Sequence, residues 1–302
     1  MDLEVTVTPE LEEELVRRAP WMHPFRLSEN VIVGRFKDRV PTTVCVSSSP
    51  PEEAGAMREA YADYMEGDPY WNVRTAFERV AGAGKSFLDI ASATGRFSFA
   101  LADAGAGSVL GVEIRREQVE QAELLRSLDG RFANVRFEHE PTSADDPAFR
   151  DGESYDIVLS MGLLYHLTDP VAHLRVLRRL AREAVLVETL THARERGYWL
   201  LELEDPQGIT KAWGGVSWIP HYADVPELLR RVGFSSVEVI ESPRVAELHR
   251  LDDRRPGATE LVFPGAAVKV LNRLRTRRLA PMLGEATRLR LAPRYYTYLA
   301  RT

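Results

Sequence analysis

The stretch Ser86-Phe87-Leu88-Asp89-Ile90, followed by Ala91-Ser92-Ala93-Thr94-Gly95, constrains this chain more than any other. An apolar run of strand length carries an acid near its end and passes into small residues, and helical spacing begins near Arg96. Strand, tight turn and helix N-terminus in that order let backbone N–H groups approach a nucleotide-like ligand closely. The next apolar run, Val109-Leu110-Gly111-Val112, closes on a second acid, Glu113. An acid at the tip of the second strand can accept hydrogen bonds from ribose hydroxyls. Alone, Asp89 reads equally as a strand-end cap and Glu113 as an acid favoured by a helix dipole. Together, with strands on both sides, they predict a cofactor site.

From Lys85 onward strand and helix patterns alternate, as a parallel sheet covered by helices requires. Strands are expected at 86–90, 109–113, 134–138, 155–160, 184–189 and 236–241. In the helix after Glu113, Val119, Ala122 and Leu125 form an apolar stripe while Glu117, Glu120, Glu123 and Arg126 face outward, and Asp129-Gly130 stops it. Asp169-Pro170 opens another helix, with Asp as N-cap and Pro at its first position. Its stripe is Val171, Leu174, Leu177 and Leu180. Tyr295-Tyr296-Thr297-Tyr298-Leu299 predicts a closing strand antiparallel to its neighbour, which makes residues 243–293 an insertion. From Lys269 to Thr302 there are nine basic residues against one acid, Glu285, so this end is strongly basic. Before the sheet, 9–18 reads as an acidic amphipathic helix, 21–50 as short strands, and 52–64 and 71–80 as helices. Ser47-Ser48-Ser49-Pro50-Pro51 is a linker candidate.

With 302 residues, 44% hydrophobic and 28% charged, the chain can bury a full globular core. A net charge of −6 argues against a surface that binds nucleic acid throughout. The single cysteine, Cys45, excludes an internal disulfide framework and a multi-cysteine zinc site. The acidic N-terminus lacks the apolar core of a signal peptide, and no run of about 18 apolar residues spans a membrane. These features predict a cytoplasmic protein without a membrane partner and leave its oligomeric state open.

A dinucleotide site would want Gly-x-Gly-x-x-Gly, which Ala91, Ala93 and Arg96 do not supply. The chain instead resembles the class I S-adenosylmethionine-dependent methyltransferases. Asp89 through Gly95 resembles their first motif, Glu113 their ribose-binding acid, and Tyr155-Asp156-Ile157-Val158-Leu159-Ser160 their fourth strand. Ser160-Met161-Gly162-Leu163-Leu164-Tyr165-His166 before Asp169-Pro170 is similar to the tRNA wobble-uridine carboxymethyltransferase branch and its small-molecule relatives. So are Trp21-Met22-His23 before Leu27 and Gly34, and Trp218-Ile219-Pro220. The resemblance implies a Rossmann-like α/β fold: a central seven-stranded, mostly parallel sheet with helices on both faces and an N-terminal cap segment. The boundaries expected are 1–80 for the cap and 81–302 for the cofactor domain, with a lid at 190–224 and the basic insertion at 243–293.

By this resemblance Asp89 reaches the amino-acid portion of S-adenosylmethionine, and Ala91, Ser92, Ala93 and Gly95 line it. Glu113 accepts from both ribose hydroxyls, Ile114 packs on adenine, and Thr142, Ser143 and Ala144 meet the adenine edge. Ser160 and Met161 complete the cofactor set. The family usually has glycine where Ala91 and Ala93 stand. Alanine there costs little if the turn keeps negative φ, and reshapes or weakens the site if it needs positive φ.

The reaction so implied is a direct substitution at the methyl carbon, calling for alignment and no metal. His166 is the first candidate for a general base toward a hydroxyl acceptor, because an imidazole exchanges protons near neutral pH. The competing reading is structural packing before the Asp169 cap. Tyr165 shapes the pocket or acts in it, and His221 either approaches from the lid or is an ordinary surface-loop histidine. Tyr61, Tyr64, Tyr70 and Trp71, with Trp199, Trp213 and Trp218 in the lid, are acceptor-wall candidates that read equally as core aromatics. The leading expectation is methyl transfer to a small-molecule acceptor such as a specialised metabolite. The alternatives are a tRNA modifier that uses Arg273, Arg275, Arg277, Arg278, Arg288 and Arg290 on phosphates, and a non-catalytic ligand-binding relative.

Overall fold

The computed structural model describes residues 1–3, 5–36, 43–67, 74–82, 84–192, 198–203, 215–240 and 294–302. The expected sheet strands are β4 (Ser86–Ile90), β5 (Ser108–Glu113), β6 (Val135–His139), β7 (Tyr155–Met161), β8 (Ala181–Thr191), β11 (Ser236–Ile240) and β12 (Arg294–Arg301). They form one sheet in the order β11-β12-β8-β7-β4-β5-β6. Neighbours from β8 to β6 pair in parallel. β12 runs antiparallel between β8 and β11, with Tyr298 opposite Val187 and Val239. The closing strand is thus where its β-propensity put it.

Period-two alternation gives the sheet two buried faces. Phe87, Ile157, Leu159, Leu186 and Leu299 share one core with Phe97 and Phe99 of α4 (Arg96–Asp103). Leu88, Val158, Val185, Val187 and Tyr298 share the other with Leu174 and Leu177 of α6 (Pro170–Leu180). Asp169 caps α6 by accepting the Ala172 N–H at 2.8 Å, with Pro170 at its start. β4 sits between β5 on one side and β7 on the other, so the connections diverge there. That divergence opens a crevice at the C-terminal strand ends, where open α/β sheets bind ligands.

The N-terminal segment holds α1 (Pro9–Arg17), the antiparallel β1 (Phe25–Ser28), β2 (Val31–Val33) and β3 (Val44–Cys45), and α2 (Pro51–Gly67). α3 (Arg74–Val80) follows. Leu15, Trp21, Phe25, Val31 and Val33 join the core cluster on the α4 face of the sheet. The helix after Glu113, α5 (Arg116–Leu128), departs from its expected pattern, because Gln118 and Gln121 are buried beside Ala122 and Leu125. The reason is the N-terminal segment: the Gln121 side-chain amide donates to the carbonyls of Arg18 and Pro20. Glu123 is also engaged, accepting the Phe137 N–H at 2.9 Å.

Within the expected lid, β9 (Leu200–Leu203) and β10 (Val216–Ile219) pair antiparallel, and a His192–His221 bridge ties this pair to β8. α7 (Asp224–Arg231) then leads into β11. Tyr70, Trp71, Trp213 and the basic insertion lie outside the described residues. No described helix is long and apolar enough to cross a membrane.

Candidate cofactor and acceptor site

The turn after β4 is built from left-handed backbone. Ala91 has φ 60°, Ala93 φ 48° and Gly95 φ 84°. The turn therefore needs positive φ at both alanines, the costlier of the two expectations, at about 1–2 kcal/mol per residue. Its ladder explains why the strain persists. The Ser92 N–H donates to the Val112 carbonyl at 3.0 Å, and the Gly95 N–H to the Ser92 carbonyl at 2.9 Å. The Ala93 N–H donates to Glu113 Oε2 at 3.1 Å. A side chain at Gly111 would force its neighbours to shift, since a Cβ there would lie 2.5 Å from Phe137 and 2.9 Å from Ser92 Oγ.

Asp89 is 1% exposed. Ser98 of α4 donates to its Oδ2 at 2.7 Å, whereas Oδ1 has no partner among the described residues. Burial pushes this carboxyl up to about 7; the Ser98 hydroxyl opposes the shift and the charge of Glu113 adds to it. Glu113 is likewise buried and raised by desolvation, against the Arg115 guanidinium and the N–H groups of Arg115, Ala93 and Ile114. The Ser92 hydroxyl is buried without a partner among the described residues. Two buried carboxylates repel a pyrophosphate. They suit a ligand with an ammonium group and a hydroxyl pair, and the cationic, ribose-bearing S-adenosylmethionine is such a ligand.

The remaining expected residues fall around this turn in different ways. Ile114 follows Glu113 directly, and its carbonyl meets His139 Nε2 at 3.1 Å. Thr142 and Ser143 are half-buried and Ala144 is buried, on the loop after β6. The loop is tied to β5 by the Glu140 N–H, which donates to the Glu113 carbonyl at 2.9 Å. Met161 joins the α4-side core, while Ser160 points to the other face and meets Nε2 of the buried His173 at 2.8 Å. Tyr165 and His166 form a half-buried 3-10 turn with ring centroids 4.0 Å apart. Gly162, between β7 and this turn, donates its N–H to the carbonyl of the buried Glu188. His221 is buried, and its Nδ1 accepts the Ala223 N–H at 3.2 Å. That bond occupies Nδ1 and leaves Nε2 as the protonated nitrogen of the neutral ring. Trp218 is half-buried on β10.

Sequence reasoning assigned no site role to His23, Ser98, Asp145 or His173. The backbone N–H of His23 donates to Thr94 Oγ1 at 3.2 Å, fastening the N-terminal segment onto the turn. Its imidazole is buried, and desolvation together with the charge of Arg96 drives it down to about 3. Asp145 accepts from the hydroxyls of Ser143 and Thr168 and from the Asp169 N–H. Trp21-Met22-His23 was the one available signal for the first contact. Ser98 lies nine positions after Asp89, on the helix that follows its strand, whereas the contacts of Asp145 with Thr168 and Asp169 and of His173 with Ala144 join segments distant in the chain.

A family model described as a methyltransferase domain matches residues 81–198. Among characterised relatives, the tRNA U34 carboxymethyltransferase of Methylococcus capsulatus is 28% identical over 192 residues, covering 61% of this chain and 56% of that protein. The protein of the same name from Geobacter sp. is 24% identical over 256 residues, covering 78% and 73%. The chain spans about half the length of the first relatives it matches. Of solved structures, the N-terminal domain of EvdMO1 with SAH and D-fucose superposes with a TM-score of 0.60 at 18% identity, over 97% of this chain and 96% of that one.

Proposed function

We propose that the chain, whose residues 81–198 match a methyltransferase-domain model, is a class I S-adenosylmethionine-dependent methyltransferase that transfers the cofactor's methyl group to a small-molecule acceptor. The observation that carries this reading is the pair of buried acids, Asp89 and Glu113, at adjacent strand ends around a left-handed turn. When bound, S-adenosylmethionine supplies an electrophilic methyl carbon on its sulfonium. The Oδ1 of Asp89 receives the amino group of its amino-acid portion. Glu113, which already accepts from the Ala93 and Arg115 N–H groups and lies against the Arg115 guanidinium, would face the ribose diol. Ala91, Ser92, Ala93 and Gly95 line the turn, Ile114 faces adenine, and Thr142, Ser143 and Ala144 border it. Met161 floors the crevice.

Alignment of the acceptor with the S–C bond supplies the larger part of the catalysis, up to about 7–11 kcal/mol. His166, half-buried in the turn after β7, takes the proton of a hydroxyl acceptor, and the ring of Tyr165 against it narrows the entrance. Among the described residues, Trp218 of β10 is the candidate for the acceptor wall.

The small-molecule reading draws support from EvdMO1, whose D-fucose-bound N-terminal domain aligns over nearly the whole chain. The second reading, an RNA acceptor, draws on the tRNA-modifying relatives. One experiment separates the two. Purified protein is incubated with methyl-labelled cofactor and the RNA and small-molecule fractions of an extract. Label in the small-molecule fraction supports the proposal, label in RNA supports the second reading, and label in neither leaves a ligand-binding protein without transfer.

A further inference from the structure

The apolar stripe of α6 is interrupted by His173, which is fully buried and lies between two elements of the cofactor crevice. Its Nδ1 is 2.9 Å from the Ala144 carbonyl and its Nε2 2.8 Å from Ser160 Oγ. A carbonyl can only accept, so Nδ1 carries the proton. Burial drives the ring down to about 4 and keeps it neutral, so Nε2 accepts from the Ser160 hydroxyl. The two bonds therefore have fixed directions, from Ser160 to His173 to Ala144. An unpaired imidazole in this apolar setting would be expensive, and here both nitrogens are satisfied.

Beside it, the Asp145 carboxylate accepts the Thr168 hydroxyl and the Asp169 N–H, both at 2.8 Å. The loop after β6 is thus held at consecutive residues, through the Ala144 carbonyl and the Asp145 side chain. Both anchors lead to α6 and the segment that precedes it.

We propose that His173 is a positioning residue for the cofactor: through the Ala144 carbonyl it fixes the adenine-bordering loop Thr142–Ala144 relative to β7. This inference rests on the reading that S-adenosylmethionine occupies the crevice. His173 does not touch the cofactor itself. It sets the distance between the loop and the turn Ala91–Gly95, between which the nucleoside is clasped.

The test uses the full chain and S-adenosylhomocysteine as the probe. Titration calorimetry compares the wild type with His173→Leu, which keeps the apolar bulk and loses both bonds. It also compares His173→Asn, whose amide mimics the donor at Nδ1. The expected result is roughly tenfold weaker binding for H173L, the effect of one buried hydrogen bond, and recovery to within about threefold for H173N. In turnover, KM for S-adenosylmethionine rises while kcat at saturation holds. A purely structural role would instead lower kcat through a smaller folded fraction and leave KM unchanged. Independently of binding, 15N-resolved imidazole spectra should show a neutral ring protonated at Nδ1. A proton on Nε2, or H173L binding as tightly as a wild type that binds well, would overturn the inference alone. A wild type that fails to bind the probe would remove the cofactor reading and this inference with it.

Discussion

The Ala93 N–H donates to the Glu113 carboxylate at 3.1 Å, so the turn after β4 and the acid ending β5 form one unit. The left-handed backbone at Ala93 serves to direct that N–H at the carboxylate, and Glu113 in turn holds the alanine in a conformation it disfavours. The acid proposed to hold the ribose is therefore also a structural clasp of the turn.

Replacing Glu113 should expose both roles. Glu113→Ala removes a buried, charge-assisted acceptor worth about 1.5–3 kcal/mol, so affinity for S-adenosylhomocysteine should drop roughly 10- to 100-fold, with a lower melting temperature. Calorimetry and thermal denaturation on the same preparation check it. Unaltered affinity would remove Glu113 from the cofactor site.

The two left-handed alanines predict gains from glycine. Ala91→Gly and Ala93→Gly each relieve about 1 kcal/mol, and the melting temperature should rise by about 2 °C per substitution. Valine at either position should lower it, because β-branching is still less compatible with positive φ. A glycine variant that melts at or below the wild-type temperature would contradict the φ values of the turn.

Asp89 gives the ligand-free protein a definite pH dependence. Its folded value of about 7 lies above the ordinary 3.8, so the native state holds the proton more tightly than the unfolded chain. The stability linked to this group is complete below the ordinary value and is lost as pH rises through about 7. Melting scans should show the wild type losing stability relative to Asp89→Asn across that window. The same variant should bind S-adenosylhomocysteine more weakly, because a neutral amide replaces the partner of its ammonium. Parallel pH profiles for the two proteins would count against a buried Asp89.

Gly111 tests the packing beneath the turn. Its substitution by alanine sets a methyl group against Phe137 and Ser92, and overpacking of this kind costs about 1–3 kcal/mol. Trimming the neighbour with Phe137→Leu should recover part of the loss. A double-mutant cycle in denaturant would then show coupling of at least about 0.5 kcal/mol, whereas additive effects would mean that the two positions do not meet.

His166 carries the proposed proton transfer. If the acceptor is a hydroxyl, His166→Asn should lower kcat by about 10²–10⁴ and leave product binding unchanged. Single-turnover transfer of labelled methyl is the measurement, and a normal rate would reassign this histidine to packing ahead of the Asp169 cap.

What could be read from residues alone was whatever depends on local periodicity. The strands from β4 to β8, the Asp169-Pro170 helix start and the closing strand at Tyr295–Leu299 follow from two-residue and helical spacing, with β-propensity and capping chemistry. Asp89 and Glu113 were legible because each lies at or near the end of an apolar run. His173 was not: along the chain it is one polar residue in an apolar stripe, and only the packed sheet sets Ser160 on one side of it and Ala144 on the other. Nor was the buried face of Gln118 and Gln121, where the Gln121 amide donates to backbone carbonyls roughly a hundred positions earlier. The sign of φ at Ala91 and Ala93 belongs to the same class, since an isolated alanine prefers negative φ and only a ladder between neighbouring strands offsets the difference. Sequence determined the elements and their acids; the tertiary structure decided which polar groups face one another, because that depends on contacts between residues far apart in the chain.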